Sequence, residues 1–132
     1  MTAPKLALSF REAERAVRRL GEALAEPEAN RLAIDGTIQR FEFSFELFWK
    51  LLAKLLLTQG AEVTLPREAL ERAYAAGWID EENLWLNMLA DRNRTSHLYK
   101  EELAREVYGR IRRYHPLLAR TLANLAQRFT LA

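Results

Sequence analysis

Few residues in this chain have side chains suited to chemistry. The sequence has no Cys and only two His, His97 and His115. That excludes disulfides, thiolate zinc sites and cysteine nucleophiles. Neither His follows a Glu by three residues, and two imidazoles fall short of the three or four protein ligands a zinc site uses. No metal and no other cofactor is expected. Neither GxGxxG nor a P-loop pattern occurs, so no glycine-rich phosphate cradle is present. Ser96 beside His97 resembles half a hydrolase triad, yet adjacent side chains diverge and no carboxylate is placed to orient the imidazole.

One segment remains, Asp91-Arg92-Asn93-Arg94-Thr95-Ser96-His97-Leu98-Tyr99-Lys100. It gathers guanidiniums, an imidazole, a phenol, an amide and two hydroxyls. One interpretation is a polar junction between helices, with Thr95 or Ser96 capping the second and Glu101 and Glu102 favouring its positive N-terminus. The other is a metal-free phosphoryl-transfer site. A His titrates near neutrality and can take the proton of a ribose 2′-hydroxyl, while a guanidinium holds charge developing on phosphate oxygens. RNA suits that pair because its 2′-hydroxyl is an internal nucleophile. Arg92 and His97 are five positions apart, so on an unbroken helix they point about 140° from one another. They converge only if the helix breaks between them or if a symmetric dimer brings two copies of the segment together.

Charge is unevenly distributed. The formal net charge is +2, but residues 92–132 hold nine Lys or Arg against three Glu, leaving the first 91 residues acidic on balance. Arg94, Lys100, Arg105, Arg112 and Arg113 form a candidate footprint for RNA or a nucleotide. These cations suit a solvated face, or pairing with the acidic part of their own chain, equally well. Tyr108 and Tyr114 lie among them, either to stack on bases or to pack in the core.

The elements that must position this segment are helical. Apolar residues recur at helical spacing almost throughout, and no long stretch alternates with period two. A first helix is expected over Ser9 to Glu26, with Ser9 and Glu12 as a capping box and Pro27 as its stop. A second covers Arg31 to Gln59 and ends at Gly60, with Gly36 a point where its start could kink. A third runs from Pro66 to Gly77, and a fourth from Asp80, with Glu81 and Glu82 in its first turn, to about Asn93. The last spans Lys100 to Arg128, with Pro116 forcing a kink or break near His115. The expected fold is all-α, an up-and-down antiparallel bundle of about five helices in a single domain, residues 1–132.

The second helix is apolar on most sides. Phe41, Phe45, Phe48, Leu52, Leu55 and Leu56 form one stripe, while Phe43, Leu47, Trp49, Leu51 and Leu57 spread over other faces. Glu42, Glu46, Lys50 and Lys54 keep a polar strip. Such a helix is central in its bundle or shared with a partner chain, and a self-association surface is expected. The N-terminus lacks an apolar leader and the longest apolar stretch, Leu47 to Leu57, is interrupted by Lys50 and Lys54, so a cytoplasmic protein without a membrane span is expected.

Arg92-x4-His97-x-Tyr99 resembles the Arg-x4-His-x-Tyr motif of HEPN-domain proteins, specifically those encoded beside minimal nucleotidyltransferases. The block from Ile38 to Lys50 is similar to that family's second helix, and Pro66-Arg67-Glu68, Ala73-Tyr74, Gly77, Trp85 and Arg92-Asn93 are in keeping with it. The resemblance covers roughly residues 30–115, with no departure at the motif positions.

The resemblance implies a dimerising helical bundle with a minimal nucleotidyltransferase as partner, and two functional accounts. In one, the protein is the toxin of a toxin–antitoxin pair, a metal-independent RNase whose composite site uses Arg and His of both protomers. Arg92 then stabilises the phosphate, Asn93 supports it, His97 is the general acid/base, and Tyr99 receives AMP from the partner enzyme, which silences the site. In the other, the protein is a non-catalytic substrate-binding subunit that completes a split nucleotidyltransferase.

Overall fold

The computed structural model describes residues 4–27, 31–97 and 100–131. Among these, the order is α1 (Pro4–Ala25), α2 (Arg31–Thr58), α3 (Pro66–Ala75), α4 (Glu82–Arg94), a short 3-10 turn (Thr95–His97) and α5 (Glu101–Phe129), with no strands. The expected all-α bundle is therefore observed.

The helix ends follow local chemistry, with several differences from the sequence expectation. α1 already includes Pro4, the first described residue, whose ring presets a helical φ. Ser9 is consequently not a cap; it lies buried inside α1 and accepts a hydrogen bond from Lys54 Nζ at 2.6 Å. Lys54 holds the end of α2 against the start of α1 through this bond. α2 passes through Gly36 without interruption, because a single glycine weakens a helix by only about 1 kcal/mol and its buried stripe outweighs that. α3 starts at Pro66 and stops where Gly77 takes φ +78°, with the Trp78 N–H bonded to the Ala73 carbonyl. α4 starts at Glu82 rather than Asp80. Arg120 engages the carboxylates of both Asp80 and Glu81, drawing them out of the helix.

α5 contains Pro116 yet continues to Phe129, so the expected break near His115 does not occur. Pro116 sits on the exposed face, as does Arg112, whose carbonyl loses its N–H partner to the proline. The buried positions Tyr114, Leu117, Leu118, Thr121 and Leu122 hold both sides of the proline against the bundle.

α2 packs against each of the other four helices, which accounts for its apolar residues on several faces. Phe41 stacks on Tyr114 with centroids 5.7 Å apart, and Phe48 on Trp85 at 4.7 Å. Trp78 meets Phe129 edge-on at 4.8 Å and closes the far end. α1 runs antiparallel to α2, as the Lys54–Ser9 bond and a bond from Arg40 to the Arg19 carbonyl require. α4 likewise runs antiparallel to α5, tied at one end by Arg120 to Asp80 and at the other by Arg110 to Asp91. Of the residues expected to spread over other faces of α2, Leu51 is buried, Leu47 and Trp49 are half-buried, and Phe43 and Leu57 remain exposed. No helix among the described residues is long and apolar enough to cross a membrane.

Candidate functional site

The Asp91–His97 segment forms the end of α4 and the 3-10 turn that follows. The helix stops at Arg94, between Arg92 and His97, so the unbroken-helix geometry that would separate them by about 140° does not apply. The Thr95 hydroxyl donates to the Arg92 carbonyl at 2.7 Å, satisfying one of the acceptors left open at the helix end. Neither Thr95 nor Ser96 caps α5. Its N-cap is Lys100 in extended conformation without a side-chain bond, while Glu101 and Glu102 do occupy its first turn.

Arg92 turns towards the middle of α2. Its Nη2 donates to Glu46 Oε2 at 2.5 Å, and its Nη1 donates to Asn93 Oδ1 at 3.3 Å. Trp49 Nε1 donates to the same Glu46 oxygen at 3.1 Å, and Lys50 Nζ lies 3.4 Å from the other. Burial alone would raise the Glu46 carboxyl, but the Trp49 hydrogen bond, the Arg92 charge and Lys50 outweigh it and hold it below its usual value. Each member of the Arg92–Glu46 pair is about one-third exposed, so the guanidinium is oriented while part of it still faces solvent. Sequence reasoning missed Glu46 as a site residue. It lies in the second-helix block, but its contact with Arg92 spans 46 positions and no local periodicity reveals it.

Beneath this pair lies Asp91, whose side chain is 1% exposed. Its carboxylate accepts two bonds from Arg110, at 2.7 and 2.8 Å, one from the Tyr114 hydroxyl at 2.5 Å and one from Arg94 at 2.9 Å. Burial would raise this carboxyl, but the Arg110 and Tyr114 hydrogen bonds and the charges of Arg110 and Arg94 hold it below its ordinary range. The same burial and the Asp91 contact push the Tyr114 phenol up, well above its ordinary value. The planar fork of Arg110 on a buried carboxylate fixes the last turn of α4 on α5. Sequence reasoning counted Arg110 in the basic tail and missed this role.

His97 is exposed on the 3-10 turn. With Arg94, Leu103, Glu106, Val107 and Arg110 it lines a cavity of about 210 Å³ against the first turns of α5. Tyr99, the expected modification position, lies outside the described residues. Lys100 and Arg113 are exposed. Arg105 pairs with Glu101 at 3.0 Å, and Arg112 lies over the Tyr108 ring at 5.0 Å while donating to its hydroxyl. Tyr108 and Tyr114 are buried, so both pack in the core. Arg92, Arg94, Arg105, Arg110 and Arg120, five of the nine cations after Asp91, are held by carboxylates of this chain. Among the described residues no three His, Asp or Glu side chains come together as metal ligands.

This arrangement offers an oriented, partly solvated guanidinium turned to α2 and an exposed imidazole that lines a small cavity against α5. A guanidinium can neutralise a phosphate, and an imidazole can move a proton. Residues 8–127 match the family model described as nucleotidyltransferase substrate binding protein like. A protein of Thermus thermophilus with a known crystal structure is 34% identical, with a TM-score of 0.74. The match covers 89% of this chain and 98% of that one. No protein with a curated description matches significantly.

Proposed function

Because the chain belongs to the nucleotidyltransferase substrate-binding-protein-like family, we propose that it is the HEPN-type partner of a minimal nucleotidyltransferase and acts as a metal-independent RNase toxin in the cytoplasm. The observation that carries this reading is the end of α4 at Arg94, which sets His97 on the 3-10 turn beyond the helix while Arg92 stays anchored by Glu46. A substrate subunit needs a pocket but has no particular need for this Arg and His together.

In the proposed reaction, His97 takes the proton of a ribose 2′-hydroxyl. The 2′-oxygen attacks the adjacent phosphorus, and the bond to the 5′-oxygen breaks as that oxygen receives a proton from an imidazolium. The products are a 2′,3′-cyclic phosphate and a 5′-hydroxyl. Arg92 holds the charge on the non-bridging oxygens, with Asn93 supporting its guanidinium. Glu46 is a positioning residue: it aims the guanidinium, and the scissile phosphate shares or displaces it. One imidazole serves as base and another as acid if two protomers combine their segments about a symmetry axis, and a homodimer is part of the proposal. AMP on Tyr99, two residues beyond His97, would silence the site by bulk and negative charge.

The test is cleavage of single-stranded or tRNA-like RNA by purified protein in EDTA. Cyclic-phosphate ends and their disappearance in His97→Ala are expected. Cleavage that requires a metal, or that survives His97→Ala, rejects the RNase. The family's description favours a second reading, a non-catalytic substrate-binding subunit of a two-component nucleotidyltransferase. Intact-mass measurement on co-expressed protein separates the two. An RNase toxin gains AMP in the wild type but not in Tyr99→Phe. A substrate subunit gains none and is required for the enzyme to modify a small molecule.

A further inference from the structure

His97 shares its cavity of about 210 Å³ with Arg94 at the end of α4 and with Leu103, Glu106, Val107 and Arg110 of α5. The four α5 residues fall at i, i+3, i+4 and i+7, so one helix face supplies most of the wall. The volume is below the roughly 300–1,000 Å³ of whole small-molecule sites, which leaves room for one flat ring system rather than a whole nucleotide.

The lining does not suit a phosphate. Arg110 places its fork on Asp91, and Arg94 donates to the same carboxylate at 2.9 Å, so both guanidiniums are committed to a buried anion. Glu106 adds a second carboxylate, and among the described residues it is in no ion pair. Arg110, four residues on and within reach along the helix, turns to Asp91 instead. An ionised carboxylate repels a phosphate and only accepts hydrogen bonds. The rest of the wall is apolar. Val107 is buried, whereas Leu103 is 43% exposed and offers apolar surface for a ring to cover. The Arg94 side chain, 60% exposed, adds a planar guanidinium of the kind on which bases stack.

A flat, uncharged ring with hydrogen-bond donors on its edge satisfies all of these surfaces, and an RNA base is such a ring. The four bases differ in what they offer a carboxylate. Guanine presents N1–H and its 2-amino group side by side, one donor for each oxygen. Adenine and cytosine present an amino group beside a ring nitrogen whose lone pair repels the carboxylate, and uracil presents an N–H between two carbonyls. We propose that the cavity beside His97 is a base-recognition site that selects guanine, with Glu106 accepting from N1–H and the 2-amino group while Leu103 and Arg94 cover the ring. Base and 2′-hydroxyl sit on neighbouring carbons of one ribose. A base held beside His97 therefore belongs to the nucleotide whose 2′-hydroxyl this imidazole deprotonates, and cleavage leaves a terminal guanosine 2′,3′-cyclic phosphate. That place in the reaction rests on the RNase reading, whereas recognition of guanine rests on the cavity alone.

Fluorescence anisotropy of the full chain with 2′-O-methyl oligouridylate carrying guanine, hypoxanthine or adenine at one internal position tests the cavity without cleavage, because no 2′-hydroxyl is free to attack. Guanine should bind about tenfold more tightly than hypoxanthine, which lacks only the 2-amino group, the ratio expected for one hydrogen bond to a charged acceptor. Glu106→Gln should remove that preference, and Glu102→Gln, one turn earlier on α5, should keep it. On cleavable RNA in EDTA, the cyclic-phosphate ends should be guanosine for the wild type and mixed for Glu106→Gln. A guanine preference that depends on Glu106, without any cleavage, keeps the cavity and rejects the RNase. Cyclic-phosphate ends without guanosine reject its placement at the scissile linkage. The cavity is rejected, whether or not RNA is cut, if the wild type binds guanine and hypoxanthine equally or binds no probe at millimolar concentration. A preference that survives in Glu106→Gln rejects it as well.

Discussion

Asp91 shows how one buried charge sets the geometry of a site it does not enter. Its carboxylate is enclosed by Arg110, Tyr114 and Arg94, so removing the charge leaves two guanidiniums and a phenol without their acceptor. Breaking a buried ion pair from one side costs about 3–5 kcal/mol, and the partly exposed arginines recover some of that as hydration. Asp91→Asn should therefore lose about 3 kcal/mol in urea unfolding at pH 7. Because the folded carboxyl sits below its unfolded value, its contribution is complete above the unfolded value, near pH 4, and is lost as pH falls through the folded one. The gap between wild type and Asp91→Asn should stay constant from about pH 5 to 8 and narrow below about pH 4. A gap that widens in acid would contradict this assignment of charge. Arg92, Asn93 and His97 stand out in the sequence because their residue types are rare and close together. The roles of Asp91 and Glu46 do not show there, because Arg110, Tyr114 and Arg92, which fix those roles, come from other helices.

At the level of the helices, Pro116 separates local from tertiary control. Proline in a helix interior removes one hydrogen bond and costs about 3 kcal/mol, enough to end an isolated helix. α5 continues because buried residues on both sides of Pro116 anchor it to α1, α2 and α4. Pro116→Ala should stabilise the fold by about 2 kcal/mol, read as a higher urea midpoint with an unchanged slope. An unchanged or lower midpoint would mean that the helix has already adapted to the proline. The opposite occurs at the start of α4, where favourable first-turn acids predict a helix from Asp80 but Arg120 on α5 captures Asp80 and Glu81 instead. The α3 start at Pro66 and stop at Gly77 were legible in advance, since proline and positive-φ glycine act within their own turn.

For the whole molecule, the proposed chemistry makes a demand on assembly. Arg92 turns to α2 and His97 to a cavity against α5, so a site that joins Arg and His through two protomers should be sensitive to mixing. Heterodimers formed from Arg92→Ala and His97→Ala chains should regain part of the RNase activity that both homodimers lack. Activity in a monomer on gel filtration would rule out the composite site.

The sequence was sufficient for the all-α class, the number of helices and most of their boundaries, because helical periodicity, prolines and glycines act over a few residues. It was also sufficient for the family, since the Arg-x4-His-x-Tyr spacing and the second-helix block are linear patterns. Only the tertiary structure decided which charges are occupied. Five cations of the basic tail are held by carboxylates of this chain, while Arg15, Arg19 and Arg40 line an open groove. Composition counts charges without their neighbours, and the electrostatic worth of a charge depends on the distance to its partner and on the water left around it.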